Sequence, residues 1–317
     1  MLIMSPRWTQ SKKENLIIFR SDERQINIKH IKDADSITEL LSCRPIPYER
    51  LPHRLIKYLI ESGVIIEQNA LYTPPSNLER QLEYLGAFRS NPETLIEDLR
   101  KVKVCIIGIG GIGSVVLEIL SGCGVENFLL IDNDTVDLSN LNRQFIYTPS
   151  QVGLPKTKAA NIWLNKNRPW VKAEVIHSTY PSKAIIRSLS KGIDFVVGAF
   201  DHPTISNTIS LISTCWQRKV TSAFAMTGIT KNLISPVFYS RLSNNSPESA
   251  FKIESMRNQP PIKASSGTTN TLTASILAEQ ILFHLTGIHE EVEYHQSTIV
   301  QRKNGNLVIS QHNQITL

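Results

Sequence analysis

Residues 102–134, VKVCIIGIGGIGSVVLEILSGCGVENFLLIDND, leave the chain little freedom in how it folds. Val104 to Ile107 is a continuous apolar run, the pattern of a strand buried on both faces. Gly108, Gly110, Gly111 and Gly113 follow at once and turn the chain into a helix beginning near Ile112. Phe128 to Ile131 then reads as a second strand, ending at Asp132. A strand, a glycine turn and a helix in this order aim free N–H groups and the positive end of a helix dipole at an approaching anion. Asp132 is placed to hold the hydroxyls of a ribose. To this point the pattern fits NAD, FAD or ATP alike.

The chain beyond Lys101 keeps alternating. AEVIHS, DFVVGAF and KVTSAFA are strand candidates separated by helices such as HPTISNTISLISTCW, which predicts a doubly wound, mostly parallel, Rossmann-like α/β sheet. TNTLTASILAEQILFHLTG is a long apolar helix ended by Gly287, and STIVQR and NLVISQ form a closing antiparallel pair about Asn304 and Gly305.

The first seventy or so residues differ in character. NLIIFRS and QINIKHI suggest a hairpin turning at Asp22 and Glu23. Ser36 and Glu39 read as a capping box opening a helix, and Leu51, Leu55, Tyr58 and Leu59 as the apolar stripe of another, ended by Gly63. With VIIE as a further strand, residues 1–71 are expected to form a small α+β, winged-helix-like domain. YTPPSN is a linker signal, because paired prolines prevent helix and remove backbone donors. Residues 72–100 are expected to hold this linker and two helices, LERQLEYLGAF and PETLIEDLRKV, and residues 101–317 the α/β domain.

A chain of 317 residues, 41% hydrophobic, can bury a full core. Its formal charge of +6 suits a polyanion, but the basic residues are scattered, which argues against a nucleic-acid face. The start lacks the pattern of a signal peptide, and no apolar run approaches the roughly 18 residues that span a membrane, so the expected location is cytoplasmic. Cys43, Cys105, Cys123 and Cys215 include no C-x-x-C pair and read as core packing.

Charge after Asp132 separates the cofactors. A triphosphate needs several cations and a metal, whereas NAD needs little positive charge there. Arg143 and Lys156 lie on the loops just beyond Asp132, and Asp201 ends a later strand at the sheet edge where ligands bind. With G-x-G-G-x-G at residues 108–113, IDND, N-L-x-R-Q from Asn140 to Gln144, V-G-x-P-K from Val152 to Lys156, and Asp201, the chain resembles the ThiF/MoeB/HesA superfamily of adenylating enzymes. DHP at residues 201–203 and RQLEYLGAFRSNP at residues 80–92 narrow the resemblance to the branch that modifies ribosomally made peptides, as in microcin C and pantocin A biosynthesis.

The resemblance implies ATP and Mg²⁺. Asp132 would hold ribose, Asn140, Arg143 and Lys156 phosphates, and Asp201 the metal, with Gly108, Gly110, Gly111 and Gly113 lining the nucleotide. It also implies a homodimer in which Arg80 reaches the partner subunit's phosphates, and a small domain that clamps the leader of a precursor peptide. Glutamate side chains of that precursor would be activated, with ring closure to follow. His202 is either a proton acceptor near the site or a cap of the next helix. The family's two C-x-x-C pairs are missing, since YSRLSNNSPESA and the tail SQHNQITL hold no cysteine, so no structural zinc is expected, and the same region just before the last long helix offers no thioester nucleophile. Activation of a sulfur-carrier C-terminus or a tRNA-borne carboxylate, an NAD-dependent oxidoreductase, and a non-catalytic nucleotide-binding module remain as alternatives.

Overall fold

The structure, a computed structural model, describes residues 1–67, 77–189, 192–200, 205–243, 246–250 and 264–313. YTPPSN therefore lies outside the described residues except for Asn77. The chain forms two compact units, residues 1–97 and 98–317.

In the first unit, β1 (Leu2–Met4) pairs antiparallel with β5 (Ile65–Glu67), and β2 (Thr9–Lys13), β3 (Leu16–Arg20) and β4 (Gln25–Lys29) form a three-stranded antiparallel sheet. The β3–β4 hairpin is the expected one, in register Leu16↔Lys29. Alternation along β3 sends Ile17 and Phe19 inward, where they meet Trp8, Leu41 and Leu59. Helices α1 (Ala34–Ser42), α2 (His53–Glu61) and α3 (Glu79–Gly86) follow, and the division between units falls within α4 (Pro92–Lys101).

Three details differ from the sequence reading. The cap of α1 is Asp33, whose carboxylate accepts from Ser36 N at 3.2 Å, so Ser36 lies inside the helix. An ionised carboxylate at that position satisfies an end donor and favours the dipole, which starts the helix three residues early. In α2 the buried positions are Ile56 and Leu59; Tyr58, about 200° round the helix from Ile56, is 45% exposed, and Leu51 is buried ahead of the helix. Cys43 is exposed, whereas Cys105 and Cys215 are fully buried.

The second unit is built on an eight-stranded sheet: β6 (Lys103–Ile107), β7 (Asn127–Asp132), β8 (Lys172–His177), β9 (Phe195–Gly198), β10 (Thr221–Thr227), β11 (Lys231–Ile234), β12 (Ser297–Lys303) and β13 (Asn306–His312). Its order is β13-β12-β11-β10-β9-β6-β7-β8, parallel from β10 to β8 and antiparallel beyond. This is the doubly wound Rossmann-like fold, with an antiparallel extension. Helices α5 (Gly113–Gly122), α6 (Lys156–Asn167), α7 (Lys183–Ser188), α8 (Ile205–Gln217), α9 (Pro247–Ala250) and α10 (Gly267–Leu285) complete it. Cys105, Ile107 and Val196 of the sheet pack with Ile185, Leu211 and Cys215 of α7 and α8. Between those positions Ile106 points the other way, to α5, as strand alternation requires.

Gly287, with φ +69°, ends α10 in a left-handed turn closed by the Ile288 N–H to Phe283 O bond of 2.9 Å. Asn304 and Gly305, at φ +49° and +81°, make the two-residue turn between β12 and β13. Among the described residues no helix is long and apolar enough to cross a membrane.

Candidate active site

The chain runs from β6 outward through β7 to β8, then returns to lay β9 on the other side of β6. That reversal opens a crevice at the carboxyl ends of β6 and β9, where doubly wound sheets bind ligands. The glycine turn fills its floor. A Cβ on Gly108 would lie 2.4 Å from Ala199 O, and on Gly113 1.9 Å from Gly108 O, so both must lack one. Gly111 faces Asn270 of α10, whose Oδ1 would lie 2.1 Å from a Cβ there. Gly110 is different: the nearest atom to its missing Cβ is Gln144 Nε2 at 3.8 Å, so this point of the turn stays open to a ligand. Among the described residues no side chain caps the start of α5, which leaves that helix end suited to an anion.

Asp132 is buried at the tip of β7, its Oδ2 accepting from Ile109 N at 2.6 Å and its Oδ1 from Asp134 N at 2.8 Å. Burial raises its pKa above the ordinary carboxylate range, opposed by the Lys156 cation and the two N–H donors. The carboxylate thereby ties the glycine turn to the end of β7. Tyr147 ties it from another side, its hydroxyl donating to Ile109 O at 2.9 Å. Burial, and then the Asp132 and Asp134 charges, hold that hydroxyl well above its usual pKa.

Lys156 opens α6; its side chain is only 7% exposed, and its ammonium donates to Asp134 Oδ2 at 2.8 Å. Asn140 closes the turn at residues 138–140, accepting from Asp137 N at 3.0 Å, while Asp137 accepts from Ser139 N at 2.7 Å. Arg143 follows on the same turn, donating to Ser139 O at 2.8 Å and Asn142 Oδ1 at 2.9 Å. Gln144, also buried, has an Oε1 with no hydrogen-bond partner among the described residues. An orphaned polar atom beside the open side of a glycine turn, a buried carboxylate, and Lys156 and Arg143 on the loops that follow fit a bound nucleotide.

The structure thus joins Gly108, Gly110, Gly111, Gly113, Asp132 and Lys156 through direct contacts and hydrogen bonds, with Asn140 and Arg143 on the adjoining turn. Arg80 lies on α3 of the first unit, 2.8 Å from Glu83. Asp201 and His202 lie outside the described residues. Among the described residues no three His, Cys, Asp or Glu side chains group as metal ligands. Sequence reasoning passed over Asp134, Gln144, Tyr147 and Asn270. Asp134 and Gln144 stood inside quoted motifs, but Asn270 is distant in sequence and its role is seen only through Gly111.

Fold and crevice define a nucleotide-binding α/β domain of the Rossmann type. The ThiF family pattern matches residues 78–313, and the chain belongs to the ThiF family. Among solved structures it is similar to E. coli MccB with ATP, at TM-score 0.80 and 18% identity, over 99% of this chain and 96% of that one. It is also similar to PaaA, at TM-score 0.74 and 17% identity, over 96% of this chain and 98% of that one. The adenylyltransferase and sulfurtransferase UBA4 of Lodderomyces elongisporus is 36% identical over 115 residues, 35% of this chain and 24% of the relative. Ubiquitin-like modifier-activating enzyme 5 of Drosophila erecta is 27% identical over 224 residues, 62% of this chain and 53% of the relative. The chain thus spans a quarter to a half of these curated relatives' lengths.

Proposed function

We propose that this chain activates a peptide carboxylate with ATP, its substrates being glutamate side chains of a ribosomally made precursor, in natural-product biosynthesis. The observation that carries the nucleotide half is the open glycine turn flanked by buried Asp132 and Lys156, with Arg143 on the adjoining turn. A carboxylate is inert to nucleophiles at neutral pH because oxide is a poor leaving group. Joined to AMP it acquires a good one.

The carboxylate oxygen attacks the α-phosphorus of ATP, the bond to the β-phosphate oxygen breaks, and pyrophosphate departs. Lys156 and Arg143 stabilise charge developing on the phosphates. Asp132 orients the ribose, and Asn140 keeps the Arg143 turn in shape. Asp201 would hold Mg²⁺, which would supply further neutralisation of the polyphosphate. An internal amide or carbanion then displaces AMP and closes a ring. Arg80 completes the site from the partner subunit of a homodimer, and the first unit adds the precursor's leader as a strand beside β4, with Arg50, Arg54 and Lys57 attracting acidic leader residues.

The test is ATP–pyrophosphate exchange with the precursor peptide encoded beside the gene, with mass spectrometry of the product. Peptide-dependent exchange is expected, nearly abolished by Asp201→Ala in a folded protein. Full activity of that variant sinks the metal assignment. Similarity to UBA4 favours a second reading, activation of a sulfur-carrier C-terminus; exchange driven by such a carrier and not by the precursor would establish it instead.

A further inference from the structure

The wall of the crevice opposite Asp132 is the end of β9, where Gly198, Ala199 and Phe200 leave the sheet. It presses directly on the glycine turn. Beyond the approach of Ala199 O to Gly108, Phe200 Cβ would lie 3.0 Å from a Cβ on Gly108, and Ala199 N donates to Ile107 O at 2.8 Å. The separation between the turn and this wall therefore depends on what holds Ala199 and Phe200.

Thr208 holds them. It is 1% exposed, on the first turn of α8, and its two branches act on successive parts of the strand end. Its methyl packs on Gly198, with Cγ2 3.2 Å from where a Cβ would stand, and its hydroxyl donates to Phe200 O at 2.7 Å. Thr214, in the same helix, instead spends its hydroxyl on the Ser210 carbonyl four residues back, the common arrangement for a helical threonine. The Phe200 ring is steadied by Tyr180, 5.9 Å away, whose hydroxyl lies 3.2 Å from Thr214 Oγ1. No ligand-facing role explains a fully buried hydroxyl tied to a strand-end carbonyl, but a spacer role does.

We propose that Thr208 is a positioning residue for nucleotide binding, its hydroxyl setting the gap between the Phe200 wall and the glycine turn. This rests on the reading of the crevice as an ATP site. Thr208→Val keeps the methyl and the volume but loses the hydroxyl; Thr208→Ser keeps the hydroxyl and loses the methyl. The two therefore separate nucleotide positioning from packing.

Calorimetric titration of the full chain with Mg·ATP, beside thermal melts, tests it. Thr208→Val is expected to bind about tenfold more weakly and Thr208→Ser within about twofold of wild type, the loss of one hydrogen bond setting the scale. Packing alone predicts the reverse order, with the serine protein less stable and affinity unrelated to the hydroxyl. Valine binding equal to wild type, or serine binding as weak as valine, overturns the proposal. If the valine protein does not fold, Thr208→Ala set against Thr208→Ser answers the same question: both lack the methyl and only serine keeps the hydroxyl. A wild-type chain that binds no ATP overturns the reading beneath it instead.

Discussion

Acid should loosen the second unit through one imidazole. His284, near the end of α10, has its Nδ1 2.9 Å from Tyr294 Oη and its ring 4.9 Å from Tyr239 and 5.6 Å from Phe195. Burial, with a smaller contribution from His289, pulls its pKa from 6.5 down to about 4. The unfolded chain takes a proton near the upper value, which the native state refuses until the lower one. Stability from neutral His284 is therefore complete above pH 6.5, declines as pH falls toward 4, and changes no further below. The shift, 6.5 − 4, corresponds to about 3 kcal/mol in the limit and about 2 kcal/mol between pH 8 and pH 5. Guanidinium unfolding at those two pH values, for wild type and His284→Gln, measures it. The glutamine protein should start less stable at pH 8, having lost its ring contacts, yet lose about 2 kcal/mol less on acidification. Titrating groups away from His284, buried Asp132 among them, cancel in the comparison. Equal acid losses in the two proteins refute the reasoning.

Gly113→Ala should cost about 3 kcal/mol or more, or prevent folding, because its Cβ meets the Gly108 carbonyl at 1.9 Å; a thermal melt reads this. Lys156→Ala should weaken ATP binding at least tenfold in calorimetry, since it removes a buried cation from the crevice. Arg80→Ala and Lys156→Ala should each be inactive, and mixing them should restore up to about a quarter of wild-type activity under random pairing; no recovery after proven subunit exchange would place Arg80 in its own chain's site or in none. Reversing charge with Arg54→Glu and Lys57→Glu should weaken binding of an acidic leader while leaving ATP affinity unchanged, which fluorescence anisotropy of a labelled leader checks.

Legibility in the sequence followed the locality of the cause. The glycine turn, the left-handed end of α10 and the Asn304–Gly305 hairpin are each dictated by residues within one short window. Strand β2 was missed because TQSKK is a polar edge strand, exposed along most of its length, with no apolar alternation to announce it. Strands β1 and β11 are too short to carry a period. The motif residues around Asp132 could be named in advance, but not what each one touches. That Lys156 would be paired with Asp134, or that Gly111 is glycine because of Asn270, depends on elements brought together only by the whole sheet. The role proposed for Thr208 has no local sign at all.

In the proposed ATP site, the Lys156–Asp134 pair has a further consequence for which anions can enter. At rest the ammonium already has an anion, so a newcomer must outbid a tethered carboxylate held 2.8 Å away. A singly charged ion offers no more than Asp134 does and leaves that carboxylate stranded beside it. A polyphosphate, by contrast, brings enough charge to share the ammonium and still satisfy the helix end and Arg143. Under the proposed function the resting pair would act as a threshold: affinity should climb steeply from AMP to ADP to ATP, whereas a bare lysine would take whichever anion was most abundant.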